Sequence, residues 1–349
     1  MPTCRRAAAW YAAPTVTETK QHHDGLFKKT FSEVEHAAAE FRAVLPAPLV
    51  ALTDFSTLKL CPGSFVDETL AGSQSDLLFT AQIASKPALL YILFEHQSTP
   101  DKLLPLRLLR YVLRILERHV ASKAKTEALP LPLVIPVVLH HSENGWNVAR
   151  CLEDLFDKDL VSQANVQHLV PRLGFVLDDL SGLPDEQLEA RALGLVPALT
   201  LWALRDARNP TRLLHSVGHW AEAMAELLRA PNGREALWTI FRYITLVADD
   251  SVATTLTAAI PDAKPQVKEA LMTLAEKWMS EGRAEGKAEG KAEGKAEGKA
   301  EALRKLLTLK FGALPDATAG RLAAATPNDI DRWLELVLSA NTLEAVLDS

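Results

Sequence analysis

The stretch that decides the fold is residues 74–98, QSDLLFTAQIASKPALLYILFEHQS. Two apolar runs, Asp76–Ile83 and Ala88–Gln97, flank Ala84-Ser85-Lys86-Pro87, a short segment rich in turn formers. The pattern predicts an antiparallel hairpin. A turn centred between Ser85 and Lys86 sets Asp76 directly opposite Glu95 on one face, with Gln97 sharing that face two residues on. Directly opposed like charges are destabilising unless something compensates them. A divalent cation held by both carboxylates is one compensation, and an all-oxygen donor set with open water positions suits Mg²⁺ or Mn²⁺. The other reading of the same pair is two solvated strand ends, and a one-residue slip of register would put the two on opposite faces. His96 alternates to the opposite face and reads as a packing or surface residue.

Outward from the hairpin, Phe27, Phe31, Val34, Ala38, Phe41 and Leu45 recur at steps of three and four, predicting one amphipathic helix that Pro46 and Pro48 stop. Leu58–Leu60 reads as a short first strand. Pro105 opens a helix running to about His119, and the β-branched run Leu133–Leu139 reads as a buried strand. The order over residues 22–141 is helix, three strands, helix, strand. On the second helix Arg107, Arg110, Arg114 and Arg118 fall in one stripe about 80° wide. A one-sided basic stripe fits phosphate contact, with Arg107 and Arg110 nearest the strand that carries Glu95. A solvated helix face, with Glu117 at its edge, is the plainer reading.

Beyond Gly145 the periodicity is helical throughout, with Leu183–Leu204, Thr211–Leu228 and Arg234–Ala248 as the clearest helices. Residues 281–300 repeat a four-residue unit, one EGRA and four EGKA. Opposite charges sit at i±2, where they do not face one another on a helix, and each Gly costs about 1 kcal/mol against Ala. The repeat reads as a spacer that becomes helical between better formers on either side. Ala302–Phe311, Asp329–Leu338 and Leu343–Leu347 make a small helical unit at the end. The expected organisation is a leader over 1–21, an α/β core over 22–141, a helical extension over 142–280, the repeat over 281–300 and a small helical domain over 301–349.

Composition narrows the function classes. The 349 residues are 48% hydrophobic and 23% charged, so a packed body is expected. Lys and Arg number 38 against 44 Asp and Glu, a net charge of −6, which excludes a globally basic nucleic-acid binder and requires any DNA contact to use a local patch. Cys4, Cys61 and Cys151 make neither a disulfide framework nor a zinc ribbon, as expected in a reducing compartment. No apolar run reaches the roughly 20 residues of a membrane helix. The expectation is a cytoplasmic protein with no membrane contact, able to self-associate through its helical regions.

The order αβββαβ, with an acid opening the second strand and an acid-x-(Lys or Gln) element ending the third, resembles the PD-(D/E)xK nuclease superfamily. HDGLFKKTF (23–31), FVDETL (65–70), QSDLLF (74–79), YILFEHQS (91–98) and PLRLLRYVLRILERH (105–119) resemble, more narrowly, the Rpn family of recombination-promoting nucleases, also labelled YhgA-like transposases. The resemblance covers about residues 22–250, and the C-terminal unit is similar to a small domain of unknown function found behind such nucleases. It implies a restriction-endonuclease-like core, a mixed sheet flanked by helices, and Mg²⁺-dependent hydrolysis of DNA phosphodiesters. Asp76 and Glu95 then match the metal-binding acids. Gln97 stands where many superfamily members have Lys, and Ser75 where the motif has Pro. Asp24, Asp67 and Glu68 are secondary candidates for a further metal contact or for orienting the first ligands. Asp24 also reads as the N-cap of the first helix, and Asp67 and Glu68 as a polar strand end. The alternative is a non-catalytic DNA-binding or scaffold relative that keeps the fold.

Overall fold

The computed structural model describes residues 16–61, 77–95, 100–124, 128–142, 144–248, 256, 259–260, 264–323 and 325–347. Helices α1 (Val16–Phe31), α2 (Val34–Val44) and α3 (Ala47–Leu52) lead into β1 (Thr53–Leu60), β2 (Leu77–Ile83) and β3 (Lys86–Glu95). Helix α4 (Leu104–Ala121) then connects to β4 (Leu133–His140). After α5 (Lys158–Gln163) comes β5 (Val176–Asp179), followed by α6 (Asp185–Glu189), α7 (Leu195–Asp206), α8 (Pro210–Leu227) and α9 (Gly233–Val247). The five strands form one mixed sheet in the order β1-β2-β3-β4-β5. β1, β2 and β3 are an antiparallel meander, whereas β4 and β5 run parallel to β3.

The hairpin forms, but in a different register from the expected one. Ala84 and Ser85 both have positive φ, 50° and 61°, as in a two-residue hairpin turn whose twist matches the strands. Ile83 therefore pairs with Lys86 and Leu77 with Ile92. Lys86 and Pro87 belong to β3 rather than to the turn. Pro87 lacks an N–H, yet it is tolerated because β4 joins β3 only from Ala88 onward. The partner of Leu77 is three residues short of Glu95, so the turn centre placed between Ser85 and Lys86 is corrected. The shift is by two residues, which leaves each β2 side chain on the face expected of it.

The first helix is also corrected. Ser32 and Glu33 divide it into α1 and α2; α2 ends at Val44, before Pro46 as expected, and Pro46 and Pro48 then open the separate helix α3, in line with the preference of proline for a first turn. Helix α1 starts at Val16, so Asp24 lies inside it and is not its N-cap. The expected helix Leu183–Leu204 is two, α6 and α7. The stretch after Gly145 is not all helical. β5 adds a fifth strand whose four residues are too few to show a period and which is stabilised by pairing with β4.

Alternation along the strands splits the apolar side chains between two faces. Leu78 and Val138 pack with Leu104, Leu108, Tyr111 and Ile115 of α4. Leu77, Phe79, Ala81, Val137 and Leu139 join a larger core with Phe27, Phe31, Phe41, Trp202 and Trp220 from the helices. That core continues from Leu26 to Leu271 without a break between the sheet and the later helices. Leu104 and Leu108 are fully buried; each contributes about 1.5–3 kcal/mol of transfer free energy. Helix α7 is buried from Pro197 to Asp206, as expected of a helix apolar on most sides.

Contacts divide the chain into one compact unit ending at Ala275 and another beginning at Glu276. One helix, Pro265–Phe311, contains all of the EGRA and EGKA units. Once a helix is nucleated each further residue adds one hydrogen bond, so flanking formers carry the glycine-rich segment. The second unit has its own core of Leu303, Leu307, Ile330, Trp333, Val337, Val346 and Leu347. A further helix, Asp316–Ala323, lies where a connection was expected. Thr326 and Asp329 close a capping box at the start of Pro327–Leu336. Among the described residues no helix is long and apolar enough to cross a membrane.

Candidate active site

Open sheets with parallel strands hold ligands at the carboxyl ends of those strands. Here three chemistry-bearing positions meet at that edge. Glu95, the last residue of β3, pairs with His140, the last of β4, and His140 pairs in turn with Asp179, the last of β5. The run Val137–Leu139 buries the strand between neighbours on both sides and delivers His140 and His141 to its end.

His140 and His141 are both buried. The His140 ring lies edge-on to Trp146, with centroids 5.0 Å apart, and its Nε2 is 3.0 Å from Ser142 Oγ. Asp179 accepts hydrogen bonds from the main-chain N–H of Trp146 at 2.8 Å and of Ser181 at 3.1 Å. Burial alone would raise its pKa, but the hydrogen bonds from Ser181 and Trp146 and the nearby His140 outweigh it and hold the carboxyl below its usual range. Asp179 is thus an ionised anchor for the loop after β4.

Helix α1 supplies the other wall. His23 is fully buried, its ring 5.1 Å from that of His141, and its Nδ1 lies 2.5 Å from the Tyr243 hydroxyl. Burial pushes the Tyr243 pKa far up, so the phenol keeps its proton. Asp24, beside His23 on α1, is also buried. Behind β5, Arg191 donates two hydrogen bonds to Asp178, at 2.9 and 2.5 Å, and approaches Glu40 at 3.6 Å. Burial, then the neighbouring Asp178, raises the Glu40 pKa well above a normal glutamate despite Arg191. The Arg191–Asp178 ion pair, with protonated Glu40 beside it, joins α2, β5 and the segment after α6.

The residues singled out from the sequence fall as follows. Glu95 ends β3. Asp76, Gln97, His96, Asp67 and Glu68 lie outside the described residues. Among the described residues no group of three or more His, Cys, Asp or Glu is arranged to hold a metal ion. Arg107 is half-buried in the first turn of α4 and pairs with Asp101 at 2.9 Å, and Arg110 is exposed one turn later. Both lie outside the buried face formed by Leu104, Leu108, Tyr111, Val112 and Ile115. Sequence reasoning missed His23, His140 and His141. The available signal was the pair His140-His141 at the end of a strongly apolar strand, where a buried polar residue asks for a reason.

Residues 21–235 match the family described as "Putative transposase, YhgA-like". That span contains Glu95, His140 and the α4 arginines. The chain is 32% identical over 266 residues to "Recombination-promoting nuclease RpnA" of Escherichia coli (strain K12), covering 74% of this chain and 84% of that one. It is 28% identical over 277 residues to "Inactive recombination-promoting nuclease-like protein RpnE" of the same strain, covering 77% and 85%. It is 26% identical over 261 residues to "Recombination-promoting nuclease RpnD" of Escherichia coli O157:H7, covering 74% and 94%. No solved structure matches. With most of its first compact unit inside the family match and relatives aligned along about three quarters of its length, this chain belongs to the YhgA-like transposase family and is a relative of the recombination-promoting nucleases.

Proposed function

We propose that this chain is a divalent-metal-dependent DNA endonuclease with a PD-(D/E)xK-type site. The observation that carries the reading is the position of Glu95. It ends the central strand, where the sheet turns from antiparallel to parallel neighbours, in register with a buried histidine. The order of a meander, a crossover helix and a parallel strand is compatible with that fold. The relatives named as nucleases support the chemistry.

In this reading Asp76 and Glu95 hold Mg²⁺ or Mn²⁺, with an all-oxygen donor set of the kind these ions prefer. The bound ion would polarise the scissile phosphate and lower the pKa of a water. Gln97 orients that water by hydrogen bonding, since an amide carries no charge. Arg107 and Arg110 hold phosphates of the DNA backbone, fixing its register without reading sequence. Asp24, Asp67 and Glu68 orient the first ligands. His140, packed against Trp146, is part of the buried wall beside the end of β3.

The test is nicking of supercoiled plasmid by the purified chain with Mg²⁺, Mn²⁺ or Ca²⁺, beside Glu95→Ala. Metal-dependent nicking lost in the variant supports the endonuclease. Binding of DNA without cleavage under every metal supports the second reading, a non-catalytic DNA-binding relative, which the relative named inactive favours.

A further inference from the structure

Helices α1 and α9 line an open groove of about 490 Å³. That is within the range of roughly 300–1,000 Å³ typical of small-molecule sites. Its α1 side carries His22, Gly25 and Lys29, and its α9 side carries Glu235, Trp238 and Arg242. The positions recur at three and four residues on each helix, so each contributes one face.

Gly25 leaves the α1 side of the groove unfilled. Glycine inside a helix costs about 1 kcal/mol against alanine. A Cβ at Gly25 would meet nothing within 4 Å, so no neighbour demands its absence. A larger side chain there would enter the groove. The walls carry positive charge on both helices. Lys29 donates to Thr239 Oγ1 at 2.9 Å, which ties α1 to α9. An ammonium has three donors, so two remain for an anion. Arg242 is exposed on the facing helix and offers a planar fork suited to phosphate. Trp238 supplies a half-buried aromatic surface, and bases stack on such surfaces whatever their identity. Glu235 adds an acceptor for an amino group.

We propose that this groove binds a nucleoside monophosphate unit, the base against Trp238 and the phosphate between Lys29 and Arg242. The unit is either a free nucleotide or the 5′-phosphorylated end of a DNA strand. The groove adjoins the candidate active site, because Tyr243 lines it and bonds to His23, which packs on His141. The proposal goes beyond the nuclease reading and does not require cleavage or metal.

Calorimetric titration of the full chain in EDTA tests it, with dCMP, a 5′-phosphorylated hexanucleotide, its unphosphorylated form and inorganic phosphate as probes. Saturable binding of dCMP, weakened about tenfold by Lys29→Ala and again by Arg242→Ala, is expected for charged hydrogen bonds. Gly25→Leu should close the groove, whereas Gly25→Ala should fold at least as stably as the parent. Glu95→Ala should bind as the parent does, which separates this site from the catalytic reading. Tighter binding of the phosphorylated hexamer than of dCMP assigns the strand end, and equal binding assigns the free nucleotide. Absence of saturable binding by both overturns the proposal. So does inorganic phosphate matching dCMP, or full affinity in the folded Arg242→Ala variant.

Discussion

Glu95 and His140 are register partners at the shared end of the parallel strands β3 and β4, and His140 has no exposed surface. The parallel ladder between β3 and β4 runs as far as this pair, so main-chain pairing holds the two strand ends at the ordinary interstrand spacing. The same pairing continues to Asp179, whose carboxylate is committed to the loop that covers His140 through Trp146. The edge is therefore organised before any ligand arrives.

Removing Glu95 should remove cleavage. A metal supplies both charge stabilisation and the nucleophile, so Glu95→Ala and Asp76→Ala should each lower plasmid nicking by orders of magnitude. Gln97→Ala should keep part of the activity, since its amide can only orient. Wild-type nicking that survives chelation, or a Glu95→Ala protein that nicks at the parental rate, would refute the metal site.

Truncating His140 acts on the scaffold. His140→Ala deletes a fully buried ring and its packing on Trp146. It should destabilise the fold by about 2–4 kcal/mol, by analogy with large-to-small core substitutions. Urea denaturation measures it, and a midpoint equal to that of the parent would contradict the packing role.

Glu40 makes stability depend on pH. Its folded pKa is raised, so the folded state holds a proton that the unfolded chain releases above the normal glutamate range. Its contribution is complete below the unfolded pKa and is lost as pH rises toward the folded one. Glu40→Gln keeps the neutral shape and should melt higher than the parent at pH 8, with the difference shrinking toward pH 4. Parallel melting curves across that range would show that Glu40 does not titrate with folding.

Arg107→Ala with Arg110→Ala should weaken DNA binding and flatten its salt dependence, because fewer counterions are released. Arg107 also loses its partly exposed pair with Asp101, worth at most about 1 kcal/mol, so the fold should persist. An unchanged salt slope would reduce both arginines to a solvated helix face.

The repeat should tolerate changes of length. One EGKA unit added to or removed from the helix Pro265–Phe311 leaves the core around Trp333 and the core around Trp202 untouched. Melting temperatures within about 2 °C of the parent are expected, since surface changes away from packing cost little. A fall of many degrees in both variants would show that the repeat is part of a packed interface.

Local pattern alone determined much of this protein. The apolar runs on either side of Ala84-Ser85 specify a hairpin. The periodicity from Pro105 specifies α4, and the β-branched run before His140 specifies a buried strand, because side-chain spacing is a property of the chain itself. The succession of hairpin, helix α4 and buried strand β4, and the presence of an acid at the end of β3, follow from the same reading. The tertiary structure decided what depends on partners distant in sequence. The hairpin register was settled by the positive φ of the two turn residues Ala84 and Ser85, which pairs Ile83 with Lys86. β5 is too short to carry a period and exists through its pairing with β4. The gathering of His23, His141 and Tyr243 spans more than 200 residues of chain. No spacing rule reaches that far, because long-range burial, rather than local repetition, brings those side chains together.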